Sequence, residues 1–140
     1  MILLDTGVIS ESMRPEPLST VLEWIRSVPE DRVYLPSLVV GELKKGVDRL
    51  PDGSRKSALT IWFEPLRDRF RRRILPFDEE TALSWGRLAA RCERDGHPMP
   101  AVDSLIAAYA LRHEAILATR NTDRFAHAGI DLVDPWEYRA

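Results

Sequence analysis

The chain alternates very short apolar runs with longer amphipathic segments, and this alternation restricts its possible folds more than any other feature. The first run, Ile2–Leu4, is wholly apolar and ends abruptly at Asp5. A short all-apolar run is typical of a strand buried on both faces of a sheet. Further candidate strands follow at residues 33–35, 73–77, 115–119 and 130–135. Strands that alternate with helices predict an α/β layer fold with a central, mostly parallel sheet of four to five strands.

The segments between these runs carry apolar residues at helical spacing. They cover residues 17–28, 37–50, 55–70, 79–96 and 101–113. Ser37 and Asp78 are predicted to cap two of these helices at their N-termini, and Pro65 to kink or interrupt a third. Because no linker, repeat or low-complexity tract divides the 140 residues, a single domain over residues 1–140 is expected.

Composition excludes several classes of protein. Hydrophobic residues make up 44% of the chain and charged residues 30%, and the net charge of −2 provides no overall basic field for nucleic acid. The single cysteine, Cys92, excludes an internal disulfide and a cysteine-based zinc site. No apolar run reaches the length of a membrane span, and the first residues lack the basic segment and long apolar stretch of a signal peptide. A cytoplasmic protein without membrane contact is therefore expected.

Polar residues stand at the ends of two of the predicted strands. Asp5 follows the first strand, and Thr119, Arg120, Asn121 and Asp123 end or follow the fourth. Ligands bind outside the carboxyl ends of parallel strands, so both segments are predicted to contribute to one crevice. Asp5 and Asp123 have an alternative role as caps of the helices that follow them, and Asn121 as a turn residue.

Two further carboxylates lie on helices among apolar neighbours. Glu42 follows two valines near the start of its helix, and Asp103 lies in the first turn of the most apolar helix. Burying an unpaired carboxylate is unfavourable, and a bound cation would offset that cost. Glu42 by itself could also be an ordinary solvated helix residue. A hard divalent ion such as Mg²⁺, which supports hydrolysis of phosphodiester bonds by water, suits the combined oxygen donors of Asp5, Glu42, Asp103, Asp123 and the neutral Asn121.

Four segments carry a resemblance to a known family: LLDTGVISE, PSLVVGELKKGV, MPAVDSLIAAYA and LATRNTDRF. In this order and at these spacings they resemble the PIN-domain family, specifically the VapC/FitB-type toxin ribonucleases of toxin–antitoxin operons. The resemblance extends over nearly the whole chain, including RRILPFDEETALSWGRLAAR and the tail DLVDPW. It implies a three-layer α/β/α PIN-like domain and an endoribonuclease activity that depends on Mg²⁺ or Mn²⁺.

The resemblance also assigns roles to individual residues. It implies an acidic triad of Asp5, Glu42 and Asp103, a last acidic position at Asn121 or Asp123, and supporting hydroxyls at Thr6 and Thr119. One departure is Gly7, where the family commonly has asparagine. The change removes a side chain that could hydrogen-bond near the site, while the predicted metal ligands are retained.

Several partners are implied as well. The substrate would be RNA, and the family implies a homodimer and a small DNA-binding antitoxin that blocks the site, with larger complexes between them. The apolar helical segments 17–28 and 58–66 are the candidates for dimer and antitoxin contacts.

Arg120 and Arg124 flank the predicted site and are candidates for contacts with RNA phosphates. The arginine-rich run at 67–73 is either a further RNA-binding surface or a solvated helix end, where the helix dipole favours cations.

Two other functions are compatible with parts of the pattern. A receiver-like signalling module also gathers carboxylates around Mg²⁺, but it requires an acidic pair after the first strand and a lysine after the last. Here Asp5 is followed by Thr6, and no lysine occurs beyond Lys56. A PIN-fold nucleic-acid-binding protein without catalysis is the remaining alternative, against which the intact acidic set argues.

Overall fold

The computed structural model describes all 140 residues and contains one sheet of five parallel strands. The strands are β1 (Ile2–Leu4), β2 (Val33–Pro36), β3 (Ile74–Leu75), β4 (Ile116–Ala118) and β5 (Asp131–Val133). Their order in the sheet is β3-β2-β1-β4-β5, and every neighbouring pair is parallel. The predicted parallel sheet is confirmed, although its third, fourth and fifth strands are shorter than the predicted runs.

Six α-helices flank the sheet and complete the predicted α/β/α arrangement. They are α1 (Thr6–Ser12), α2 (Ser19–Ser27), α3 (Ser37–Asp48), α4 (Ser54–Phe70), α5 (Glu79–Arg94) and α6 (Ala101–His113). Short 3₁₀ turns occupy Glu30–Arg32, Arg71–Arg73, Thr122–Phe125 and Pro135–Glu137. None of the helices combines the length and the apolar character that crossing a membrane requires.

The central strand owes its position to its composition. All three residues of β1 are buried, and Leu3 is fully enclosed together with Leu35 of β2 and Leu117 of β4. Burying a leucine side chain contributes about 1.5–3 kcal/mol, so a strand that is apolar on both faces gains most at the middle of the sheet. The first apolar run of the chain therefore becomes the strand from which the rest of the sheet extends on both sides.

Of the two predicted N-terminal helix caps, one is confirmed and the other is wrong. The Asp78 side chain accepts a hydrogen bond from the Thr81 backbone N–H at 2.9 Å, so its predicted capping of α5 is confirmed. The prediction for Ser37 is wrong, because Pro36 occupies the cap position and the Ser37 hydroxyl lies 2.8 Å from the Tyr109 hydroxyl. Pro65 lies inside α4 without interrupting it.

The strand order creates a crevice between β1 and β4. The chain leaves β1 to build β2 and β3 on one side, and it later returns to place β4 on the other side. The backbone N–H of Asp5 donates to the Ala118 carbonyl at 2.9 Å, which holds the carboxyl ends of β1 and β4 side by side. Parallel α/β sheets bind ligands at such a point, where the connections that follow two neighbouring strands run toward opposite edges of the sheet.

Candidate active site

Asp5 lies at the centre of this crevice, between the end of β1 and the start of α1. Its Oδ1 atom accepts a hydrogen bond from the Thr6 backbone N–H at 2.8 Å, and its Oδ2 atom accepts one from the Thr119 hydroxyl at 2.8 Å. The first bond caps α1, so the capping alternative is correct. A carboxylate offers about four acceptor positions, however, so capping and one hydroxyl contact leave capacity for a further ligand.

Glu42 is joined to Asp5 through Thr6. The Thr6 hydroxyl donates to the Glu42 Oε1 atom at 2.7 Å, although the two residues are 36 positions apart in the chain. Glu42 is only half-buried, and its second carboxylate oxygen accepts no hydrogen bond from the protein. Thr6 therefore holds one oxygen of Glu42 in place and leaves the other available to a ligand or a water molecule.

Asp103 approaches the same crevice from the first turn of α6, where it is partly buried and makes no hydrogen bond. Burial raises the pKa of this carboxyl group, and the negative charge of Asp5 raises it further, while the guanidinium of Arg124 acts in the opposite direction. These interactions place Asp103 within electrostatic range of both Asp5 and Arg124. Its ionised form lacks a full counter-charge from the protein.

The segment after β4 brings the last predicted residues to the crevice rim. Thr119 is fully buried, and its hydroxyl also accepts the Asn121 backbone N–H at 3.1 Å. The side chains of Asn121 and Asp123 are exposed and make no hydrogen bonds. Asp123 does not cap the 3₁₀ turn Thr122–Phe125, because Asn121 occupies the position before that turn. The choice between Asn121 and Asp123 as the last ligand stays a prediction.

The arginines near the site differ in their surroundings. Arg124 acts electrostatically on Asp103, as a cation at the rim of the crevice would. Arg120 places its guanidinium carbon 5.3 Å from the centre of the Trp136 ring, a stacked arrangement that leaves its N–H groups free to donate. In the run at 67–73, by contrast, four of the arginines form ion pairs: Arg67 with Glu64, Arg69 and Arg73 with Glu30, and Arg71 with Asp68.

The carboxylates fit a hard divalent cation by their chemistry, though they do not form a closed cage. Asp5, Glu42 and Asp103 supply only oxygen donors, and the charge of Asp103, which Arg124 offsets only in part, would be neutralised by a cation. No group of three or more carboxylates, imidazoles or thiols converges closely enough to hold an ion unaided.

Gly7 leaves open space beside the site. It is the second residue of α1 and is exposed, and a Cβ atom built on it would meet no heavy atom within 4 Å. Neither packing nor a positive backbone φ requires glycine at this position. A side chain could therefore begin at this position without a clash at its Cβ atom.

Comparison with known proteins shows which family the chain resembles. A family model described as the PIN domain matches residues 2–130, a range that includes every predicted site residue. Toxin FitB of Neisseria gonorrhoeae is 40% identical over 140 residues, and the alignment covers 97% of this chain and 99% of the relative. VapC ribonuclease Y4jK of Sinorhizobium fredii is 37% identical over 138 residues, with 98% of this chain and 99% of the relative covered.

A solved structure has almost the same fold. The structure of FitAB bound to the IR36 DNA fragment contains a chain that is 38% identical and superimposes with a TM-score of 0.94. The superposition covers 100% of this chain and 99% of the other. The match therefore extends to both sides of the crevice between β1 and β4.

Proposed function

This chain belongs to the PIN-domain family, and from that premise we propose that it is a metal-dependent endoribonuclease, the toxin of a toxin–antitoxin pair. The names of its relatives, a toxin and a VapC ribonuclease, support this function. The observation that carries the proposal is the acidic crevice between the carboxyl ends of β1 and β4. There Asp5 accepts a hydrogen bond from Thr119, and Thr6 connects Asp5 to Glu42. The family match leaves no support for the receiver-like alternative.

The proposed cofactor is Mg²⁺ or Mn²⁺, held by Asp5, Glu42 and Asp103 with Asn121 or Asp123 as the last ligand. When bound, such an ion supplies charge that stabilises the phosphoryl oxygens and makes a water molecule a stronger nucleophile. Thr6 and Thr119 hold the carboxylates of Glu42 and Asp5 in fixed orientations. The oxygens of the metal ligands would otherwise reorient freely, and that would weaken binding.

The protein groups around the scissile bond have complementary tasks. Where Glu42 does not bind the metal itself, its free oxygen orients the attacking water toward the phosphorus and accepts its proton. A P–O bond to water forms as the P–O bond to the leaving ribose oxygen breaks, so no side chain becomes covalently attached. Arg124 and Arg120 balance the negative charge of the RNA backbone at the rim.

The proposed partners are RNA, a second copy of the chain and a small DNA-binding antitoxin. The DNA in the related FitAB structure supports a DNA-binding complex. Apolar residues at the start of α2 and on α4 offer a contact surface, since Leu18, which precedes α2, is 47% exposed and Ile61 is 74% exposed. The cavity between these helices is lined by Leu22, Ile25 and Leu66. The proposed location is the cytoplasm, where RNA is available as substrate.

The test is cleavage of a mixed RNA pool by purified, partner-free protein with Mg²⁺, with Mn²⁺ and with EDTA. We expect discrete cleavage products that require the metal and disappear in the Asp5→Asn variant. If folded wild-type protein leaves all RNA intact under every condition while still binding it, the protein is a nucleic-acid-binding PIN domain and the nuclease proposal fails.

Thr6→Val is expected to lower the cleavage rate by about 10- to 100-fold, the usual effect of losing a group that orients a metal ligand. Valine keeps the size of threonine but cannot donate to Glu42, so the carboxylate loses its 2.7 Å hydrogen bond. The measurement is kcat on a cleaved oligonucleotide, with thermal unfolding recorded in parallel. Thr60→Val is the matched control, because the exposed Thr60 hydroxyl donates only to the Lys56 carbonyl on α4. Equal rates for both variants would contradict the orienting role of Thr6.

A further inference from the structure

A cavity of about 360 Å³ lies next to the acidic crevice. Thr6 and Glu42 belong to its lining, and from there it extends between α1, α3 and α4. Its apolar lining comes from Met13, Leu43, Val47, Leu50 and Leu59. Its volume falls within the range of about 300–1,000 Å³ that is typical of ligand pockets. The cavity therefore continues the proposed site along the surface, away from the crevice between β1 and β4.

Three exposed cations line this cavity: Lys45, Arg49 and Arg55. None of them forms an ion pair or a side-chain hydrogen bond. The lysines beside them do, since Lys44 pairs with Asp48 at 3.0 Å and Lys56 with Asp52 at 3.7 Å. Neither Lys44 nor Lys56 belongs to the lining. The unpaired positive charge of this part of the surface is thus concentrated in the cavity.

Little negative charge opposes these cations. Glu42 is the only acidic residue in the lining, and one of its oxygens is already engaged by Thr6. Arg55 stands in the first turn of α4, which contains no acidic residue. The N-terminus of a helix carries a partial positive charge, so α4 adds to the field of the three side chains. An anionic ligand is the natural occupant.

We propose that this cavity binds the RNA backbone beside the cleaved phosphate, with Lys45, Arg49 and Arg55 contacting the flanking phosphates. The inference rests on the proposed ribonuclease function and deepens it. A nucleotide combines an anionic phosphate with the less polar faces of its sugar and base, and the cavity combines basic side chains with an apolar floor. Such contacts position the strand and supply affinity without reading its sequence.

The arginine-rich run at 67–73 does not offer the same chemistry. Its arginines are mostly engaged with Glu30, Glu64 and Asp68, so an RNA phosphate would have to displace an existing partner. At Lys45, Arg49 and Arg55 it would displace only solvent. The cavity is therefore the better site for a phosphate.

The first test measures binding of a labelled single-stranded oligouridine to protein that carries Asp5→Asn, so that cleavage cannot interfere. The test variant adds Lys45→Gln, Arg49→Gln and Arg55→Gln. The control variant adds Arg26→Gln, Arg32→Gln and Arg72→Gln, which remove equal charge from exposed, unpaired arginines outside the cavity. We expect the test variant to bind at least about 10-fold more weakly than the control. The slope of log K against log salt concentration should be shallower by about 2, since each of the three lost phosphate contacts on a single strand contributes about 0.7.

The second test uses protein with an intact acidic set. Here the three cavity substitutions should raise KM for a long oligonucleotide and leave kcat nearly unchanged, because the cations touch only flanking phosphates. Thermal unfolding checks that the variants fold, and Arg55→Gln alone, on an exposed side chain, replaces the triple variant if that variant does not fold.

The outcomes separate this inference from the proposed function. Equal RNA affinity and equal salt dependence in the test and control variants would overturn the cavity site. Retained RNA affinity combined with lost binding of a protein partner would overturn it as well, since the cavity would then belong to that partner. Failure of the wild-type protein to cleave RNA would defeat the nuclease proposal, while the binding comparison would still decide the cavity.

Discussion

Asp103→Asn is expected to lower metal-dependent RNA cleavage by at least about 100-fold and, in the same protein, to raise the free energy of unfolding in EDTA. The carboxylate is partly buried, makes no hydrogen bond and lies within electrostatic range of Asp5. An amide of the same shape removes the cost of burying a charge, which outweighs the lost attraction to Arg124, and it also removes the repulsion from Asp5, so the folded state is favoured. The same change removes a proposed metal ligand, so activity and stability should move in opposite directions.

The stability gain from Asp103→Asn should depend on pH. Burial first, and the negative charge of Asp5 as well, raise the pKa of Asp103 in the folded protein, so the folded state holds this proton more tightly than the unfolded chain does. The stability that this group contributes is fully present below the pKa of the unfolded chain and is lost as the pH rises through the raised pKa. The gain should therefore be largest at neutral pH and disappear in acid.

Urea denaturation of wild type and Asp103→Asn in EDTA, at neutral and at acidic pH, measures this effect. Asp31→Asn is the control for loss of one negative charge, since Asp31 is exposed and unpaired. Added Mg²⁺ should then stabilise the wild type, by about 2.7 kcal/mol at an ion concentration of 100 Kd, and the variant much less. A variant that is less stable than the wild type in EDTA at neutral pH would contradict the prediction.

Asp5→Ala is expected to abolish cleavage, and unlike Asp103→Asn it should also destabilise the fold, by about 2–4 kcal/mol. Alanine removes the acceptor that caps α1 and the acceptor of the Thr119 hydroxyl. Thr119 is fully buried, so its hydroxyl would keep the Asn121 N–H but lose the acceptor for its own proton, with no water to replace that acceptor. Urea denaturation and kcat on a cleaved oligonucleotide measure the two effects.

The chain provides a close structural match for this experiment in Asp78. Its side chain accepts hydrogen bonds from the backbone N–H and the hydroxyl of Thr81, which is also fully buried, at 2.9 and 2.7 Å. Asp78→Ala should therefore cost a comparable free energy of unfolding while leaving cleavage intact under conditions where the protein is folded. Equal losses of activity in the two variants would show that Asp5 acts only through the fold.

Residues whose surroundings are set by nearby sequence were predicted well. The apolar run Ile2–Leu4 could be predicted as a buried strand from its composition alone. Asp78 caps its helix by accepting a hydrogen bond from a residue only three positions along the chain. Placing Asp5 and Thr119 at one crevice required only the rule that parallel strands end at the same edge of a sheet. Their 2.8 Å contact agrees with that prediction.

Residues whose partners lie far along the chain could not be predicted in the same way. The hydroxyl of Ser37 meets that of Tyr109, 72 positions away, instead of capping its own helix. The ion pair between Arg69 and Glu30 spans 39 positions, so the run at 67–73 could be interpreted as either bound to protein or free for RNA. The unpaired state of Lys45, Arg49 and Arg55 is equally invisible in the sequence, because it depends on which neighbouring carboxylates other cations engage.

The contact between Asp5 and Thr119 joins residues 114 positions apart, so the ribosome adds the two residues at different times. A chain leaves the ribosome N-terminus first, so β1 is exposed while its neighbour β4 has still to be translated. The carboxylate at the end of β1 lacks its hydroxyl partner throughout that interval, and Asp103 arrives late as well. Synthesis must therefore be nearly complete before Asp5, Asp103 and Thr119 can come together in one crevice.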